Sequence, residues 1–199
     1  KVDYHHGITT PVRLPELADA ATYAEALNEA LANDGLPARY SSYDITDFRS
    51  GAHPYLYPDV DWWGKTLRKY GSTNELNISF AGSGKRVRYY VLANYSNVTG
   101  FLNHTDLNEG YSTQALSHKL NFRTNLDLEM TKTTRLKLNL LGRLSQYNTN
   151  NGMDGIITTL YNLPSAAFPI RSAGGSWSQN STWSNPIAKI ASTGFTQVQ

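Results

Sequence analysis

Residues 116–130 read Leu-Ser-His-Lys-Leu-Asn-Phe-Arg-Thr-Asn-Leu-Asp-Leu-Glu-Met. Leu116, Leu120, Phe122, Leu126, Leu128 and Met130 fall on even positions; Ser117, Lys119, Asn121, Arg123, Asn125, Asp127 and Glu129 fall on odd ones. A period of two sends these sets to opposite sides of an extended chain, giving a strand with one apolar and one wet face. The turn Thr131-Lys-Thr-Thr134 follows, and then the pattern resumes. Leu136, Leu138, Leu140 and Leu144 alternate with Lys137, Asn139, Arg143 and Ser145.

Moving toward the N-terminus, the same period begins at residue 74. Leu76, Ile78 and Phe80 alternate with Glu75, Asn77 and Ser79, and Gly82-Ser-Gly-Lys85 makes a turn. Val87, Tyr89, Val91, Ala93 and Tyr95 then share one face, with Arg86, Arg88, Tyr90, Leu92, Asn94 and Ser96 on the other. Residues 1–10 fit a short strand. Leu17 to Asn33 has helical spacing, with Asp19 as N-cap and Gly35 as the left-handed stop. A second short helix fits Ser42 to Gly51. The stretch 51–73 reads as an ordered loop, Asp154 to Leu163 as a helical turn, and 171–185 as a Gly/Ser/Asn/Trp loop. A last strand is expected from Ala188 into Gln199.

Composition narrows the class. Charged residues make up 17% of the 199 and hydrophobic residues 40%, and the net charge of +2 gives no reason to expect a nucleic acid partner. No apolar run is long enough for a transmembrane helix, a test that barrel strands escape because they alternate. With no cysteine, disulfides and thiolate metal sites are excluded. Lys1-Val-Asp-Tyr4 has no signal-peptide character, so an export signal is expected upstream.

One-sided alternation also describes a soluble sandwich. Two features favour a membrane barrel. The regular patterns run about 11–15 residues, whereas ordinary strands cluster near 5–6 and a tilted membrane strand takes about 9–11. The connections alternate long (11–73), short (82–85), long (about 101–113), short (131–134) and long (149–187), the rhythm of short periplasmic turns and long outer loops. The expected fold class is therefore all-β: part of a large antiparallel transmembrane β-barrel with short helices in the outer loops. Leu120, Phe122, Leu126, Leu128, Leu136, Leu138 and Leu140 are expected to meet outer-membrane lipid. Lys119, Arg123, Asp127, Glu129, Lys137 and Arg143 are expected to face the lumen.

Catalytic and metal chemistry find little footing. His5 and His6 point to opposite faces of a strand, and His53, His104 and His118 have no partner at ligand spacing. Asp127 and Glu129 lie two apart among Lys119, Arg123, Lys137 and Arg143, as a solvated network does. Gly82-Ser-Gly-Lys85 lacks the P-loop spacing and its following helix. No enzyme activity and no cofactor are expected. The aromatic loops remain as ligand or partner contact candidates: Tyr55, Tyr57, Trp62 and Trp63 in one, Trp177 and Trp183 in another. Such rings stack on sugars or peptide side chains; equally, they pack loops together or line a membrane interface.

Gly51-Ala-His-Pro-Tyr-Leu-Tyr-Pro58, Asp61-Trp-Trp63 and Asn74-Glu-Leu-Asn-Ile-Ser-Phe-Ala-Gly-Ser-Gly-Lys-Arg-Val-Arg-Tyr-Tyr-Val91 resemble the first long outer loop and following hairpin of SusC/RagA-type TonB-dependent transporters. Ala21-Thr-Tyr-Ala-Glu-Ala26, Leu120-Asn-Phe-Arg-Thr-Asn-Leu126 and Ser184-Asn-Pro-Ile-Ala188 are similar to that family in the same order. His53 departs from it, because the family commonly has Asp before this Pro. The resemblance implies that residues 1–199 are an N-terminal portion of a barrel of about 22 strands, with plug domain and later strands outside this piece. It further implies import of oligosaccharides or peptides across the bacterial outer membrane, with a SusD-like lipoprotein as lid and the TonB complex engaging through the plug. The alternative is a soluble extracellular sugar-binding β-domain with an aromatic binding platform.

Overall fold

The computed structural model describes residues 1–108 and 110–198. It is mostly one antiparallel sheet: β1 (Val2–Thr9), β2 (Gly71–Ser83), β3 (Val87–Thr99), β4 (Leu116–Glu129), β5 (Arg135–Asn150) and β6 (Phe195–Val198). Each strand pairs with the next in chain order, so the sheet is an open meander. β2 to β5 are 13, 13, 14 and 16 residues long, well beyond the common strand length. Because the order is sequential, the tight connections after β2 and β4 lie at one end of the sheet. The long connections, 10–70, 100–115 and 151–194, lie at the other.

The registers carry the sequence alternation across the sheet. Tyr4, Leu76, Tyr95, Leu120 and Leu144 stand opposite one another in a row through five strands. Behind it, toward the tight turns, come Val2–Ile78–Ala93–Phe122–Gly142, Phe80–Val91–Thr124–Leu140, Gly82–Tyr89–Leu126–Leu138 and Val87–Leu128–Leu136. No charged side chain occurs in these five rows. A single-residue slip would exchange the faces of a whole strand, and no pair here has slipped.

Helices occupy the first and last of the long connections: α1 (Ala20–Asn33), α2 (Ser42–Ser50), α3 (Trp62–Thr66), α4 (Met153–Asn162) and α5 (Pro186–Ser192). Asp19 caps α1 by accepting from Thr22 N at 2.7 Å, which sets its start three residues later than the apolar spacing indicates. Ser41 and Asp44 form a reciprocal capping box on α2, and Gly51 (φ 65°) closes it in the left-handed conformation. The expected strand from Ala188 is a correction: Ala188 lies in α5 and the strand starts at Phe195. Asn185 caps that helix through Ile187 N and Ala188 N, and Pro186 suits its first turn. Gln199 lies outside the described residues.

The dry cores lie among the long connections. Trp62, Trp63, Leu102, Ile156, Leu160, Leu163, Phe168, Ile187 and Ile190 form one cluster; Ala20, Ala21, Ala24 and Phe48 form another. No strand side chain belongs to either. The apolar sheet face is correspondingly uncovered, with Phe80 and Leu144 each 60% exposed.

Candidate functional site

The sheet has two chemically different faces and a boundary on one of them. Beyond the Tyr4–Leu144 row the apolar side changes to His6, Asn74, Asn97, His118 and Gln146, again in register across five strands. The two tyrosines next to this row reach into it. Tyr4 Oη donates to Asn74 Oδ1 at 2.9 Å, and Asn74 Oδ1 lies 2.8 Å from His6 Nδ1. Tyr95 Oη lies 2.9 Å from His118 Nδ1, which also receives Asn97 Nδ2 at 3.2 Å. The rings therefore keep their apolar bodies in the greasy band and their hydroxyls in the polar one.

The opposite face carries Lys119, Arg123, Asp127, Glu129, Lys137 and Arg143, as the alternation requires. Asp127 pairs across with Lys137 and Arg88, and Glu129 accepts from Arg135 Nη2 at 2.7 Å. With Arg86, these residues line a cavity of about 180 Å³ at the tight-turn end. Nearer the middle of this face an amide ladder crosses three strands. Asn121 Nδ2 donates to Asn94 Oδ1 at 2.9 Å, and Asn94 Nδ2 to Asn77 Oδ1 at 2.7 Å. Both Asn77 and Asn94 donate to Glu75 Oε1 at 3.0 Å, holding that carboxylate in place.

The aromatic candidates separate into packing and surface residues. Trp62 is 1% exposed; its Nε1 donates to Pro164 O at 3.2 Å and its ring packs edge-on against Phe168. Trp63 is buried against Tyr161. Both belong to the larger dry core and help to pack it. Tyr57 is half-buried against Phe48 and donates to Asp44 Oδ1 at 2.8 Å, a bond that raises its pKa above the ordinary tyrosine value. Trp183 is half-buried beside the same large core. Tyr55, 57% exposed, is the one with an open ring. It borders a shallow cavity of about 370 Å³ with Pro58, Pro169, Ile170 and Arg171, and the Arg171 guanidinium lies 3.6 Å from the ring centroid of Trp177.

Two residues outside the candidate set organise this region. Asn185, 15 residues from Ile170 in sequence, donates from Nδ2 to Ile170 O (2.8 Å) and Ser178 O (3.1 Å) while its Oδ1 caps α5. It thereby fixes the loop that carries Arg171 and Trp177. Asp44 is held by Ser41 as well as by Tyr57, and the bond from Ser41 N is the main reason its pKa lies below the ordinary carboxylate range. At the position where the resemblance expects Asp, the backbone carbonyl of His53 accepts from Leu56 N and Tyr57 N, so main chain holds this turn. The His53 ring meets Asp47 Oδ2 at 3.1 Å instead. Of Gly82-Ser83-Gly84-Lys85, the first two residues end β2, and Gly84 and Lys85 with Arg86 form the hairpin connection to β3. Among the described residues, no three His, Cys, Asp or Glu side chains come together as a metal site would need. In comparisons with known proteins, no family profile and no curated protein matches the chain.

Proposed function

We propose that this chain is a section of the wall of a bacterial outer-membrane β-barrel through which oligosaccharide or peptide nutrients are imported. One observation carries the reading: a five-strand apolar face with no charge and, among the described residues, no covering layer, in a molecule whose dry cores lie elsewhere. Water is a poor neighbour for so continuous a surface, since exposed apolar patches beyond a few hundred Å² mark an interaction site.

The dimensions support hydrocarbon as that neighbour. Rows two residues apart are about 6.8 Å apart along a strand, so the five rows extend roughly 27 Å. At a barrel tilt of about 40° this is roughly 21 Å of membrane depth, and the side chains at each edge bring it near the ~25 Å apolar band of outer-membrane barrels. The row of Asn, Gln and His side chains then marks one interface, with tyrosines just inside it. An open sheet edge is not viable in lipid, so in this reading further strands complete the wall.

Active import, with a SusD-like lipoprotein at the outer mouth and TonB engaging a plug, rests on the sequence resemblance alone. The wall reading is tested by extraction and gel mobility of the complete polypeptide. Release from membranes only by detergent, with mobility that changes on boiling, is the expected result. Release in buffer without detergent would return the chain to the soluble sugar-binding class.

A further inference from the structure

The charges of the wet face are unevenly distributed. At the tight-turn end, acids and bases alternate: Arg88, Asp127 and Lys137 share a row and Glu129 bridges to Arg135. Farther from the tight turns on β4 and β5 the pattern breaks. Lys119 faces Ser145, Arg143 faces Asn121, and Arg123 faces Leu141. On the β3 side, Lys119 faces Ser96 and Arg123 faces Leu92. None of the three cations takes part in an ion pair among the described residues. Glu75 and Asp3 sit on β2 and β1, the first bound by the asparagine ladder and the second paired with Lys1.

Lys119 and Arg123 flank Asn121 two residues to either side, and Arg143 stands opposite that asparagine, so all three cations crowd one patch. Like charges at diagonal positions on one sheet face repel. The local partners are weak: Lys119 Nζ lies 5.4 Å from the Tyr147 ring centroid, and Arg143 Nε donates to Ser145 Oγ at 3.0 Å. The guanidinium groups of Arg123 and Arg143 are both exposed, and such groups grip planar oxyanions in the two-point manner that suits carboxylates. Leu141, 79% exposed beside Arg123, adds an apolar surface that a ligand's carbon skeleton can cover.

We infer that Lys119, Arg123 and Arg143 form a binding patch for a carboxylate-bearing oligosaccharide passing along the wet face, its carboxylates on the guanidinium groups and its neutral hydroxyls on Asn121. The inference rests on the wall reading above and narrows the cargo to anionic ligands.

The test uses the complete polypeptide purified in detergent, with tetragalacturonate as the acidic probe and a glucose tetramer as its neutral counterpart, measured by calorimetry. The acidic tetramer binds, its affinity falls with added salt, and the neutral one binds at least about tenfold more weakly. K119Q/R123Q/R143Q weakens acidic binding by about tenfold or more, while K119R alone keeps it within about threefold. Equal binding of the two tetramers, absence of binding, or an unchanged triple variant overturns the inference. Boiling-dependent mobility, checked on every variant, shows whether the wall itself still forms. Its presence with failed binding removes this patch alone; its absence in the unaltered protein removes the wall reading.

Discussion

The hydroxyl of Tyr95 meets Nδ1 of His118 at 2.9 Å, with the two rings stacked at 6.2 Å and 27°. Tyr95 belongs to the last apolar row and His118 to the first polar one, so this contact marks where the band ends. Arginine scanning across that line is the direct measure of what the face touches. Leu140 lies in the middle row; if this face meets lipid as proposed, Leu140→Arg costs about 2–4 kcal/mol in urea unfolding from lipid vesicles, and His118→Arg costs about 0–1 kcal/mol. On a sheet face bathed in water, both changes fall within about 0.5 kcal/mol. A flat profile therefore removes lipid from the picture.

The tryptophan pair and Tyr55 separate packing from ligand contact. Trp62 fills the core between α3 and the loop at Pro164 and Phe168. Trp62→Ala leaves a cavity and a Pro164 carbonyl without its donor, costing about 3–5 kcal/mol of local stability. Hydrogen exchange of α4 and α5 amides reports that loss. Tyr55→Ala, on an open ring, leaves the exchange pattern unchanged and lowers affinity only if a ligand stacks there. Protected amides in the Trp62→Ala protein would mean that the core does not depend on this ring.

What could be read from the chain was whatever repeats at short range. Leu136 to Leu144 and Leu120 to Leu128 each announce a face through period two, and both faces are found where alternation puts them; the first tight turn falls at 84–86, not 82–85, because Gly82 and Ser83 still pair with β3. The start of α1 is set by Asp19, a local cap written in the sequence. α3 spans five residues, too few for a period to appear inside the 51–73 loop. Ile187, Lys189 and Ile190 do not settle a period, so spacing alone does not separate residues 188–192 of α5 from a strand; Asn185-Pro186, a cap followed by a first-turn proline, is the signal the sequence offers. The dry core was hidden for a different reason. Trp62 finds Pro164 across 102 residues, and no local pattern states such a meeting. The aromatic candidates therefore looked alike in sequence and divided only by burial.

The α2 cap gives a pH-dependent signature. Asp19, chiefly through Thr22 N, and Asp44, chiefly through Ser41 N, have carboxyl pKa values lowered in the folded state. Each therefore adds stability above the ordinary aspartate value of about 3.9, and that contribution is lost as pH falls through the lowered folded value. Tyr57 runs the other way. Its raised pKa contributes below the ordinary tyrosine value of about 10 and loses that contribution as pH climbs through the raised one. Tyr57→Phe moves the Asp44 titration upward but not to the ordinary value, because both Ser41 bonds remain. Carboxyl NMR titration of the variant checks this; an unmoved Asp44 would mean that the Tyr57 bond is absent in solution.

Gly82 and Tyr89 are direct neighbours across β2 and β3, and the tyrosine ring lies over the glycine. A methyl group at residue 82 would come within 2.6 Å of the ring carbon Cζ, closer than carbon atoms tolerate. Gly82→Ala therefore pushes Tyr89 off its position on the apolar face, at a cost of about 1–3 kcal/mol for an overpacked contact. Gly142, in another apolar row, has open space where a Cβ would stand. Gly142→Ala adds a β-carbon to an already extended strand and is neutral to stabilising by up to about 1 kcal/mol. Unfolding of the two variants side by side reads the difference. Equal effects would show that Tyr89 does not lean on Gly82, and that this row of the apolar face packs differently.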